Sequence, residues 1–219
     1  MNRRRPTLIA ALTLTAAAAL TLSACGSGDS SEGNDKIAGA DTEGSAPAAS
    51  PAASGTSEPA RPTIELPADL SYTFDWPRTG DKDKDAVLAD GEQSIKAVDL
   101  AIVNQDPLDK AYLYYYEGEA AAGTQEFIEA YVKENARVMG AYRFYDAVVN
   151  MRGNDEASLV YCEDQGKAYD MYLKPKKTNK TPVTKNSYVL YNTRLSMNDK
   201  GVWVVQKLLS QRGSAKCQP

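Results

Sequence analysis

The sequence contains no histidine. That absence excludes histidine general bases, Ser-His-Asp triads and His-ligated zinc or iron centres. Cysteine is scarce: Cys25, Cys162 and Cys217 stand alone, with no CxxC pair, and three thiolates do not close a zinc cage. Basic residues are outnumbered, 25 against 29 acidic, for a net charge of −4. The strongly basic footprint of a nucleic-acid binder is therefore missing. No glycine-rich phosphate loop, EF-hand spacing or catalytic-serine elbow occurs. These absences leave no cofactor, metal or catalytic constellation to expect. Long apolar runs are limited to residues 8–20, short of the roughly 20 residues of a permanent membrane span.

What the chain has instead is an N-terminal segment built for export. Arg3, Arg4 and Arg5 form a positive start, residues 8–20 an uncharged apolar core, and Leu22-Ser23-Ala24-Cys25-Gly26 follows. This segment resembles, residue by residue, the lipobox of bacterial lipoproteins. The resemblance implies cleavage after Ala24 and a diacylglyceryl group on the Cys25 sulfur. Two acyl chains give stable anchorage where one is marginal, each buried methylene contributing about 0.8 kcal/mol. The implied location is the extracytoplasmic face of the cell membrane. "RRPTL", residues 4–8, lacks the polar residue and phenylalanine of a twin-arginine signal.

Residues 26–62 are almost wholly Gly, Ser, Ala, Pro, Asp and Glu, with one isoleucine and no aromatic residue. Such a segment cannot bury enough apolar surface to offset its ordering entropy. It reads as a disordered tether with an end-to-end distance of roughly 35 Å. The expected organisation is a signal peptide over 1–24, an acylated cysteine and tether over 25–63, and one globular domain over 64–219.

In that domain Leu70, Tyr72, Phe74 and Trp76 alternate with polar residues, predicting a strand or extended arm. Leu88, Ile95, Val98 and Ile102 share a helical face. Asp106-Pro107 predicts the start of a second helix, and Thr124 the cap of a third that Gly140 ends. Beyond residue 141, apolar alternation is broken at "GND" (153–155), "DQG" (164–166), a lysine-rich loop (174–185) and "NDKG" (198–201). This predicts a four- or five-stranded antiparallel meander. Helices followed by such a curved meander, an α+β fold, resemble the nuclear-transport-factor-2-like family in element order over residues 81–214. The chain also resembles small exported lipoproteins of high-GC Gram-positive bacteria that end in a Trp-containing strand and a final cysteine, here Trp203 and Cys217. A cystatin-like α+β fold and a lipocalin-like barrel are the alternatives; the early helices argue against the barrel.

If Cys25 carries lipid, Cys162 and Cys217 remain as an even pair in an oxidising compartment, which reads as a disulfide. Thirteen tyrosines against three phenylalanines and two tryptophans suit half-wet sheet faces. Tyr112, Tyr115 and Tyr116 share one helical face and are candidates to line a pocket. Asp146 lies in phase with Tyr142, Phe144 and Val148, and Asp170 with Ala168 and Tyr172; either carboxylate facing inward would be desolvated. The lysines of 174–185 could meet anionic headgroups or wall polymers, or simply solvate a hairpin loop. The sum is a lipid-anchored binding or interaction module with an envelope protein or wall polymer as partner. The alternative is a pocketed enzyme or small-ligand carrier using Asp146 or Asp170 and the tyrosines.

Overall fold

A computed structural model describes residues 60–219; Cys25, the signal segment and most of the expected tether lie outside the described residues. Strand β1 (Leu70–Asp75) precedes three helices, α1 (Lys82–Asn104), α2 (Lys110–Tyr115) and α3 (Gly118–Lys133). Five strands follow: β2 (Ala136–Arg152), β3 (Glu156–Leu173), β4 (Lys176–Asn179), β5 (Tyr188–Met197) and β6 (Trp203–Arg212). The sheet order is β1-β2-β3-β5-β6, with β4 beside the far end of β3. This is the expected α+β fold, helices on a bent, largely antiparallel sheet. One pairing departs from the meander: β1 runs parallel to β2, Leu70 opposite Gly140 and Phe74 opposite Phe144.

Local chemistry sets the helix ends. The Asp81 side chain accepts hydrogen bonds from the Asp83 and Lys84 N–H groups, and Asp83 and Asp85 place negative charge in the first turn of α1. The second helix starts later than expected. Asp109, not Asp106, caps it; Asp106 instead accepts from the Leu108 N–H in the preceding turn. The third starts earlier and stops earlier. Thr124 is buried in its interior, and residues 136–140 belong to β2. Gly140, expected as a helix stop, sits mid-strand at φ +97, where a Cβ would come 2.2 Å from the Lys167 carbonyl oxygen. The "DQG" segment does not reverse the chain either. It lies inside β3, where Arg143 pairs with Asp164 and Ala141 with Lys167, so the extra residues form a bulge. Bulges bend and twist the strands that carry them.

The core lies between the sheet and α1, with Trp203, Phe144, Ile102, Ile128, Leu159 and Leu195 among its fully buried side chains. Two features hold α1 down. At Gly91 a Cβ would stand 2.8 Å from Leu159 Cδ2 and 3.5 Å from Trp76 Cζ3, so the missing side chain lets the helix approach the sheet. Beside it, buried Asp90 accepts from Arg61 at 2.7 and 3.1 Å and from the Trp203 N–H at 2.9 Å. Packed chain therefore begins by Arg61, two residues before the tether was expected to end. At the other end of the sheet Cys162 and Cys217 are bonded, with Cα atoms 5.5 Å apart, stapling the C-terminal tail to β3.

Two stability measurements follow. Gly91→Ala should lower stability by about 1–3 kcal/mol through overpacking against Leu159, whereas Gly123→Ala, with nothing within 4 Å of its Cβ, should gain about 0.5–1 kcal/mol from helix propensity. Equal effects in denaturant melts would contradict the close approach. Replacing both Cys162 and Cys217 with Ser should cost about 4 kcal/mol, the chain-entropy value for a 55-residue separation; an unchanged midpoint would contradict the staple.

Candidate functional site

A cavity of about 890 Å³ lies between α1, α3 and the inward face of β2, β3, β5 and β6. Alternation along β3 turns Tyr161 and Glu163 into it, while Cys162 between them faces the tail. The side chains of Tyr142 and Phe144 arrive from β2, Tyr191 from β5, and Phe127 and Tyr131 from α3. Tyr161 and Tyr191 stack at 5.0 Å between ring centroids. Residues 181–187, the part of the lysine-rich segment after β4, border the opening, but none of the segment's lysines lines the cavity.

Two acids give the cavity its character. Asp99, on α1, accepts a 2.6 Å hydrogen bond from the Tyr72 hydroxyl through Oδ2; among the described residues its Oδ1 accepts none. Burial pushes its carboxyl up to about 6, against the opposing pull of Tyr72. Glu163 is 5% exposed and accepts from Gln165 Nε2 at 2.9 Å. Burial pushes it up to about 7, the Tyr191 hydroxyl pulling the other way and the charge of Asp99 adding to the rise. Gln165 in turn accepts from Arg212 at 2.7 Å, and the same Arg212 nitrogen donates to the Asn186 carbonyl, so the guanidinium is held at the rim. The hydroxyls of Tyr72, Tyr142 and Tyr191 are all driven well above their usual range by burial, with nearby carboxylates adding to the rise. They stay protonated and serve as hydrogen-bond donors.

The residues singled out from sequence divide. Asp170 lines the cavity and accepts from the Tyr131 hydroxyl at 3.0 Å. Tyr116 lines it too. Tyr112 and Tyr115 do not: both are fully buried in the core, where the Tyr112 hydroxyl donates to the Ala121 carbonyl. Asp146 lies outside, on an exposed shallow groove with Asp75 and Trp76. The register shifts between Tyr145 and Val148, and Asp146 has φ +54. The bulge turns Ala147 and Val149 inward and leaves Asp146 and Val148 on the solvent side. Asp99 and Glu163 were missed, although a signal existed. Asp99 falls four residues after Ile95 and three before Ile102, inside the apolar stripe of its helix, and Glu163 shares the Leu159–Tyr161 strand phase.

No family model matches the chain, and no curated protein matches it. Solved structures do align with it. One is a ketosteroid isomerase-like protein from Erwinia carotovora atroseptica, 13% identical over 61% of this chain and 98% of that one, with a TM-score of 0.43. Another is an NTF-2 like protein of unknown function from Shewanella oneidensis, 18% identical over 57% and 98%, with a TM-score of 0.35. The intermembrane space region of the chloroplast protein ARC6 aligns at 11% identity over 62% and 99%, with a TM-score of 0.37. Two of the three carry the name of the fold that the element order resembles or of an isomerase-like protein. The likeness concerns fold only; the reading of the site rests on the side chains above.

The buried acids make stability depend on pH. Unfolded, both carboxyls return to about 4, so the folded state binds their protons more tightly. The resulting stability is fully present below the unfolded values and is lost as pH rises through about 6 for Asp99 and about 7 for Glu163. The melting temperature should fall between pH 5 and pH 8, and the Asp99→Asn, Glu163→Gln double variant should flatten that fall. A wild-type melting temperature that rises over the same interval would contradict the burial of these acids.

Proposed function

We propose that this protein is a lipid-anchored, extracytoplasmic small-molecule binding protein, whose folded domain receives a ligand with a largely apolar body in the cavity beneath α1 and α3. The observation that carries this reading is a cavity of about 890 Å³ walled by aromatic side chains, onto which the half-buried Asp99 carboxyl opens. Cavities of roughly 300–1,000 Å³ with apolar walls and a few convergent polar groups are the usual form of small-ligand sites. A purely structural core would close over such a space, since each unfilled methyl-sized void costs about 1 kcal/mol.

The address comes from the sequence and from the disulfide. The lipobox at Leu22–Cys25 supplies the anchor, and the Cys162–Cys217 bond belongs to an oxidising compartment. Among the described residues no helix is long and apolar enough to cross a membrane.

An uncharged solvatochromic dye such as Nile red tests the cavity. It should bind with a blue shift and fluorescence gain, and Gly123→Trp, at the cavity wall where nothing lies within 4 Å of a Cβ, should cut that binding at least several-fold. Unchanged binding in the variant would assign the dye to another surface and overturn the reading. Cys25→Ser should move the protein from the membrane to the soluble fraction; continued membrane retention would overturn the anchor.

A further inference from the structure

We infer that the ligand is an amphipathic organic cation, an amine or quaternary ammonium carried on an apolar body, with its charge held against Asp99 and Glu163. This inference rests on the reading of the cavity as a ligand site and names the ligand's class.

The charges around the cavity are lopsided. Asp99 comes from α1, Glu119 from α3, and Glu163 and Asp170 from β3; the one basic lining residue is Arg212 at the end of β6. That guanidinium donates through one nitrogen to Gln165 and Asn186, forms no salt bridge with Glu163, and pulls the Glu163 carboxyl down more weakly than burial pushes it up. Glu119 is paired at the rim with Lys207 at 3.2 Å, and Asp170 is held by Tyr131. Lys96, the nearest lysine in sequence to Asp99, reaches the other way, over the Phe74 ring and toward Glu92. Lys180 lies over the Tyr169 ring and forms no salt bridge with either acid. No protein cation therefore pairs with Asp99 or Glu163 among the described residues, and Oδ1 of Asp99 is left without a donor.

The walls favour the same class. Tyr116, Tyr142, Phe144, Tyr161 and Tyr191 surround the two acids, and aromatic faces attract a cation through their negative quadrupole. An anion would meet like charge from Asp99 and Glu163 on the inner walls, with the Tyr72 and Tyr131 hydroxyls already engaged with carboxylates and the one guanidinium, Arg212, at the rim. A neutral ligand would leave the buried Glu163 and the half-buried Asp99 without a paired charge, a state that favours their protonated forms. A cation removes that cost by pairing, and on binding it drives the carboxyls to release their protons.

Three probes with one aromatic body test this on the full chain with its disulfide intact: 2-naphthylmethyl-trimethylammonium, neutral 2-naphthylmethanol and anionic 2-naphthoate. At pH 8 the cation should bind at least about tenfold tighter than the alcohol, and the carboxylate weakest. At pH 6.5, calorimetric enthalpies for the cation should differ between buffers of unlike ionisation enthalpy in the sense of proton release. Asp99→Asn should bring the affinity ratio of cation to alcohol down toward one, and Glu163→Gln gives the same comparison from the sheet side. Equal binding of cation and alcohol by the wild type overturns the cationic class and leaves the cavity as a ligand site. Failure of all three to bind at millimolar concentration overturns the ligand site itself. Because the ranking is read on the wild type, it does not depend on either variant folding.

Discussion

Everything in the domain hangs on how close α1 can come to the sheet. At Gly91 it comes as close as a helix can, with Leu159 and Trp76 occupying the place of a side chain. One residue earlier, Asp90 reaches the backbone of Trp203 and the Arg61 guanidinium. This clamps together the chain entering the domain, its longest helix and its last strand. Eight residues further along, roughly 12 Å at 1.5 Å per residue, the same helix carries Asp99 over open space. The same helix thus meets the sheet at Gly91 and lines the cavity at Asp99. The bulges in β2 and β3 bend the strands beneath.

The two ends of α1 treat a buried carboxylate in opposite ways. Asp90 has a cation and a backbone donor, and its negative charge is fully used. Asp99 has one tyrosine hydroxyl, and Glu163 the Gln165 amide and the Tyr191 hydroxyl, none of them a charge. Burying an acid without a counter-charge works against folding. Such groups concentrate where a protein's chemistry is done, because local rules are broken there while the surrounding fold compensates. The disulfide and the Asp90 clamp are the compensation visible here, both lying outside the cavity.

Much of the fold was legible because it follows from periodicity. The alternation from Leu70 to Trp76, the apolar face of α1 and the succession of strands after residue 141 appear where apolar spacing puts them. The misplaced boundaries share one cause. Asp106, Thr124 and Gly140 are good local punctuation, but tertiary packing overrode each, and "DQG" became a bulge because β2 continued to offer it a partner on both sides. The parallel β1–β2 pairing could not be read from turns, since three helices separate the strands. The site was half legible. Asp170 and Tyr116 were found by phase, and Asp146 failed because one bulge reversed the phase between Tyr145 and Val148. Asp99 and Glu163 carried a signal of their own, an acid inside an apolar stripe. That signal is strong only when the stripe's partner surface is known to stop short of it.

Two carboxyls, Asp99 and Glu163, lie in this cavity without a salt-bridge partner among the described residues. The most direct measurement is a ¹³C NMR titration of the Asp99 and Glu163 carboxyl carbons in the ligand-free domain, assigned with Asp99→Asn and Glu163→Gln. The account predicts two elevated, mutually influenced steps near pH 6 and pH 7. Two ordinary steps near pH 4 would mean that water or a cation reaches these groups in the free protein, and would contradict it.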